Sequence, residues 1–242
     1  MSFTIHTEGE FEYIEEGSGE VLLLLHGLFG ALSNWDSVIN KFSKTHRVII
    51  PVLPIYTMPV KKAGIEGLMK FVERFVEEKQ LKEFHLIGNS LGGHVGIVYT
   101  LTHPEMVKSL VLTGSSGLYE NPMGSSFPRR SNYAFVEEKV GYTFYDPSVA
   151  TKELVDYVYD VFQNISKTLR IIAIAKSAQR NNVSKDIVNI KTPTLLIWGL
   201  NDTITPPSVA HEFNSLISGS VLKFVDKCGH APMMEHPGLF NQ

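Results

Sequence analysis

The stretch Phe84-His85-Leu86-Ile87-Gly88-Asn89-Ser90-Leu91-Gly92-Gly93-His94 constrains this 242-residue chain more than any other part of it. An apolar run enters, a helical pattern over residues 95–101 leaves, and between them Ser90 stands in the spacing G-x-S-x-G. A strand that passes into a helix this abruptly turns so tightly that side chains at 88 and 92 would clash, so glycine is needed at both. The turn holds the Ser90 hydroxyl exposed at its tip and aims the positive end of the following helix at it.

The rest of the chain supplies the sheet that such a turn needs. Apolar runs at 21–25, 48–53, 84–87, 110–112, 194–198 and Val221–Val225 mostly lack strict alternation, as strands covered on both faces do. Helical patterns lie between several of them. In 65–76 the residues Ile65, Leu68, Met69, Phe71, Val72, Phe75 and Val76 recur at helical spacing. This alternation predicts an α/β fold with a mainly parallel sheet flanked by helices. Residues 4–7 and 11–14, separated by Glu8-Gly9-Glu10, predict an antiparallel hairpin at one edge.

From about Tyr119 to Asn189 the rhythm breaks. Asn121-Pro122-Met123-Gly124-Ser125-Ser126 predicts a turn, and helices follow at 147–162, capped by Asp146, and at 165–178. The expected organisation is a core of 1–118 and 190–242 with a helical lid, 119–189, over the strand ends where α/β sheets bind ligands. Aromatic residues between Met123 and Tyr145 are expected to pack within that lid, and Arg129, Arg130, Arg170 and Arg180 are its candidate anion-binding groups.

A net charge of −3 leaves no basic excess to draw in nucleic acid or an anionic membrane, so neither is expected as a partner. The run 21–25 is far too short to span a bilayer, and no basic segment followed by an apolar stretch opens the chain. The single cysteine, Cys228, cannot form an internal disulfide, so a cytoplasmic location is expected. The sequence assigns no oligomeric state.

A serine hydroxyl becomes a nucleophile when a base titrating near neutrality takes its proton. His230, in Lys227-Cys228-Gly229-His230-Ala231-Pro232 just beyond the run Val221–Val225, is the candidate base. It needs a carboxylate to fix its tautomer, and Asp202 follows the run 194–198 through Gly199-Leu200-Asn201. Each of the three follows a strand, in the order Ser, Asp, His. Asp226 is the rival carboxylate, but it ends the strand that His230 follows. His26 is expected to be a structural hydrogen-bonding residue, His94 a packed histidine behind the nucleophile, Cys228 a small packed residue and Gly17-Ser18-Gly19 a turn. No ligand cluster or dinucleotide loop implies a metal or cofactor.

Together the His26-Gly27 turn, the Ser90 elbow, Trp198-Gly199 before Asp202 and Gly229-His230-Ala231-Pro232 make the chain resemble the α/β-hydrolase superfamily over nearly its whole length. The resemblance implies a Ser90–His230–Asp202 triad and an oxyanion hole formed by the N–H groups of Leu91 and of Leu28 in His26-Gly27-Leu28-Phe29-Gly30. It implies hydrolysis of a carboxylic ester or similar acyl substrate through an acyl-enzyme. Carbon–carbon bond hydrolysis of ring-cleavage diketones is an alternative, because Gly88–Gly93 and Gly114-Ser115-Ser116-Gly117-Leu118 are similar to such enzymes; those usually place tryptophan after the histidine, where this chain has Ala231. Haloperoxidase, perhydrolase, thioesterase and acyltransferase chemistry use the same triad, and a ligand receptor on this fold is the alternative from another class. The chain departs from the superfamily in two places. Pro51-Val52-Leu53-Pro54-Ile55-Tyr56 replaces an Asp-x-Pro-Gly-like loop, and the helix after His230 is expected to be short, since the sequence stops at Gln242.

Overall fold

Four consecutive leucines show how the sheet is built. Leu23 and Leu25 pack on one side with Ile49, while Leu22 and Leu24 pack on the other with Val48 and Ile50. Alternate residues point to opposite faces of a strand, so an unbroken apolar run marks a strand with both faces covered. The structure is a computed structural model that describes residues 3–30, 35–121 and 131–242.

The strands are β1 (Ile5–Glu8), β2 (Phe11–Glu16), β3 (Glu20–Leu25), β4 (His46–Pro51), β5 (Phe84–Asn89), β6 (Val107–Thr113), β7 (Thr194–Gly199) and β8 (Val221–Val225). They form one sheet in the order β1-β2-β4-β3-β5-β6-β7-β8. β1 and β2 are the expected antiparallel hairpin, turning at Gly9 with φ 58°. β2 is also antiparallel to β4, and every later pairing is parallel. The helices are α1 (Asp36–Phe42), α2 (Ile65–Glu78), α3 (Leu91–Thr102), α4 (Tyr133–Gly141), α5 (Lys152–Gln163), α6 (Ile165–Arg180), α7 (Pro207–Leu216), α8 (Pro232–Glu235) and α9 (Pro237–Phe240). All seven apolar residues read from the 65–76 pattern are buried in α2. Among the described residues, no helix is long and apolar enough to cross a membrane.

Most element ends differ from the sequence reading by a few residues, and two of the differences have a clear local cause. The run 48–53 is strand only to Pro51; Leu53 has left the sheet, and its N–H donates to His26 Nε2 (3.0 Å). The helix expected over 147–162 begins at Lys152. Asp146 caps only a single 3₁₀ turn, Pro147–Val149, and Ala150 at ψ 73° breaks the path before Thr151 caps α5. The helix at 165–178 runs two residues further, to Arg180. The turn predicted at 121–126 lies outside the described residues beyond Asn121, as do Arg129 and Arg130 and the aromatic segment before Ser131. Gly17 and Gly19 turn the chain between β2 and β3 at φ 81° and 116°, the turn expected of them.

Between β6 and β7 the described residues hold helices and no strand. Val136 and Val140 of α4 and Val155 and Val158 of α5 join the apolar cluster on the β3 face that carries Leu22 and Leu24; Ile174 and Ala178 of α6 join the opposite one.

Candidate active site

Ser90 sits where β5 passes into α3. A methyl group on Gly88 would lie 2.5 Å from Gly93 Cα, and one on Gly92 2.2 Å from the Leu25 carbonyl oxygen, so neither position tolerates a side chain. Ser90 itself takes φ 54° and ψ −120°, a conformation costing about 1–3 kcal/mol that persists only where the surroundings enforce it. They do so here through three hydrogen bonds: Ser90 N–H to Thr113 O (3.1 Å), and His94 N–H (3.1 Å) and Ser116 N–H (3.2 Å) to Ser90 O.

Asp202 and His230 come together from the ends of β7 and β8. His230 Nδ1 donates to Asp202 Oδ2 at 2.8 Å, and both side chains are buried. Since the carboxylate accepts, the Nδ1 proton is fixed and Nε2 becomes the basic nitrogen. The carboxylate also accepts from Ile204 N (2.8 Å), Thr205 N (2.9 Å) and Thr205 Oγ1 (2.8 Å). Burial alone would hold His230 neutral; the charge and hydrogen bond of Asp202 outweigh it, with Glu120 and Glu235 adding, and raise its pKa above 6.5. The rival Asp226 is exposed and accepts from its neighbour Lys227 N.

Ser90 and His230 line one cavity of about 250 Å³, and Leu28 and Leu91 line it with them. The His26–Leu28 loop packs directly on the elbow, because a methyl on Gly27 would lie 3.2 Å from Ser90 Cβ. His26 is buried and stays neutral. Its Nε2 accepts from Leu53 N, so Nδ1 carries the proton and donates to Gly27 O (2.8 Å). Gly30 N also donates to that oxygen (3.1 Å). In a trans peptide, holding the Gly27 carbonyl fixes the opposed Leu28 N–H. His94 is a packed histidine: Nε2 donates to Asn181 O (2.9 Å), and burial lowers its pKa to about 4. Burial and the nearby Glu235 push the Cys228 thiol up, away from thiolate reactivity. Among the described residues no cluster suits a metal ion.

Sequence reasoning missed the groups that hold the histidine. Asn89 Nδ2 donates to His230 O (3.2 Å) and Thr113 O (3.0 Å), and His230 N donates to Thr143 O (2.8 Å). Glu235 accepts from Gly229 N through Oε1 (2.7 Å) and from Tyr145 N through Oε2 (2.7 Å), tying the histidine loop to the segment after α4. Thr205 was legible, since a threonine three residues after an aspartate commonly closes a local turn. Asn89, Thr143 and Glu235 act across the fold and leave no local pattern. Glu120, which shares the cavity, was missed for the same reason.

The family model described as alpha/beta hydrolase fold matches residues 20–142 and 153–237. The chain belongs to the alpha/beta hydrolase fold family. A solved alpha/beta hydrolase from a sediment metagenome of the Mar Chica lagoon, Morocco, is 41% identical, with TM-score 0.82 over 99% of this chain and 94% of the other. The monoacylglycerol lipase ABHD6 of Mus musculus is 30% identical over 98% of this chain and 79% of its own length. A 2-hydroxy-6-oxononadienedioate/2-hydroxy-6-oxononatrienedioate hydrolase of Escherichia coli O139:H28 is 26% identical over 92% of this chain and 85% of its own length. This alpha/beta hydrolase is therefore a hydrolytic enzyme.

The arginines bear on which hydrolysis this is. Arg170 does not line the cavity; it donates through Nε to Met58 O (2.7 Å) and through Nη1 to Ser166 O (2.8 Å). Arg180 does not line the cavity either. Among the described lining residues the charged groups of fixed sign are Glu120 and Lys139. The Lys139 ammonium stands 4.0 Å from Glu138 and 4.7 Å from the centre of the Tyr142 ring.

Proposed function

We propose that this alpha/beta hydrolase cleaves carboxylic esters of apolar acids through an acyl-enzyme on Ser90. Ser90 attacks the ester carbonyl, His230 Nε2 takes the hydroxyl proton and returns it to the leaving alcohol, and Asp202 holds the imidazole. Leu28 and Leu91 N–H groups receive the developing oxyanion, each worth about 3–4 kcal/mol in the transition state. Water then repeats the sequence and releases the acid. The observation that carries this reading is His230, held by Asp202, sharing one cavity with the strained Ser90.

The cavity walls favour an apolar acyl group. Val136, Val140, Val158, Phe162 and Ile174 line it, so an apolar chain is desolvated there at little cost, whereas an unpaired charge would be costly. These residues belong to 119–189, which we read as the lid over a core of 1–118 and 190–242. Excluding water would also strengthen the oxyanion hydrogen bonds. The named activity of the mouse relative supports an ester substrate. A cytoplasmic location remains part of the proposal, supported by the lone buried thiol.

A panel of p-nitrophenyl esters of increasing chain length, assayed beside a ring-cleavage diketone, tests the reading. Apolar esters should be turned over best. A diketone that surpasses every ester would replace this reading with carbon–carbon bond hydrolysis.

The pH profile follows from the His230 environment. The neutral imidazole is the base, and its pKa is raised, so activity is low below that pKa and rises as pH climbs through it. The acid limb of kcat/KM should have its midpoint above 6.5, the ordinary histidine value. A midpoint below 6.5 would contradict the assigned balance of burial and Asp202.

A further inference from the structure

Glu120 is a carboxyl group placed where an apolar acyl cavity gains nothing from one. It lines the cavity with Ser90 and His230, is half-buried, and interacts electrostatically with His230. The segment carrying it is pinned from both sides. Asn121 N donates to Ile204 O (2.7 Å) and Asn121 Nδ2 to Thr203 O (2.6 Å), fastening it to the loop that follows Asp202. On the other side Val183 N donates to Gly117 O (2.9 Å) and Asn182 Nδ2 to Leu118 O (3.2 Å). The Glu120 backbone is thus held against the site by the same loop that holds the catalytic carboxylate.

Among the described residues no lysine or arginine forms an ion pair with Glu120. The Lys139 ammonium is turned to Glu138 and the Tyr142 ring, and the charge that Glu120 meets is that of His230, already paired with Asp202. Among the described lining residues a second carboxylate brought in by a substrate would find a like charge, apolar walls, no arginine, and a single lysine already engaged with Glu138 and the Tyr142 ring.

We propose that Glu120 is a specificity-determining residue that admits neutral acyl substrates and excludes those carrying a carboxylate. The inference rests on the ester-hydrolase reading and names the substrate charge that reading leaves open. Burial raises the Glu120 pKa above its ordinary 4.5, so the filter strengthens as pH rises and fades as the carboxyl takes up its proton.

The test compares Glu120→Gln with the parent enzyme at about pH 8.5, on the alkaline side where the charged form of a raised carboxyl is favoured. The substrates are the mono-p-nitrophenyl ester of adipic acid with its far carboxyl free and the same ester with that carboxyl as the amide. The parent should prefer the amide. The ratio of kcat/KM for the acid over that for the amide should rise about tenfold in the variant, as expected for removing a like charge in a poorly hydrated cavity. A rise below threefold overturns the proposal. Glu120→Ala should move the ratio the same way and serves if the glutamine variant does not fold. If the parent turns over neither ester, the ester reading fails on its own. The filter is then judged by binding of hexanoate against hexanamide to the same proteins, with the same threefold threshold on the ratio of affinities.

Discussion

Ser90→Ala should lower ester turnover on the order of 10⁴-fold or more while leaving the fold intact. The size follows from chemistry: without the hydroxyl no acyl-enzyme forms, and what remains is the contribution of the oxyanion hole and of binding. KM should change little, because the cavity walls and the Leu28 and Leu91 N–H groups are untouched. The fold should persist, because the hydrogen bonds that fix residue 90 run through its backbone N–H and C=O. Alanine inherits the φ of 54° without relieving it, so no large gain in stability is expected. Steady-state kinetics and thermal unfolding of the variant check both parts. Near-normal turnover in a folded protein would remove Ser90 from the nucleophile role.

Asp202→Asn should lower kcat by about 10⁴-fold and destabilise the protein by about 1–3 kcal/mol. Every group facing this carboxylate is a donor: two backbone N–H groups on Oδ1, and the Thr205 hydroxyl and His230 Nδ1–H on Oδ2. An amide has only one acceptor oxygen. If its NH₂ takes the Oδ1 place, it opposes the N–H groups of Ile204 and Thr205. If it takes the Oδ2 place, it donates to His230 Nδ1, which moves the ring proton to Nε2, the atom that must accept from Ser90. Loss of the negative charge also lowers the His230 pKa, so the acid limb should move to lower pH in the variant. A drop in kcat of less than tenfold, with the acid limb unmoved, would show that Asp202 is not the partner that matters.

The sheet was legible in the sequence because strands buried on both faces leave unbroken apolar runs, as in Leu22 to Leu25. The elbow was legible because its glycines answer a local steric demand: Gly92 cannot carry a methyl 2.2 Å from a carbonyl oxygen. Helix starts were harder. Asp146 and Thr151 both have capping side chains, and only the backbone at Ala150 decides that the second begins the longer helix. The run 48–53 overran its strand because Leu53 is apolar for a different reason, buried beside the His26 loop. Thr205 reaches its partner over three residues and could have been found. Glu235 serves the histidine loop and Tyr145, ninety residues away in sequence, and Glu120 matters through a cavity that no single segment encloses. Groups that act across the fold have no period and no local spacing to announce them.

The most direct test of the account is to label the enzyme with a fluorophosphonate and map the adduct by peptide mass spectrometry. This reagent captures an activated serine at the step of nucleophilic attack proposed for Ser90. One adduct is expected, on the peptide containing Ser90, with activity lost in proportion to labelling and no labelling of Ser90→Ala. An adduct on a different serine that abolishes activity, or full activity retained with Ser90 modified, would contradict it.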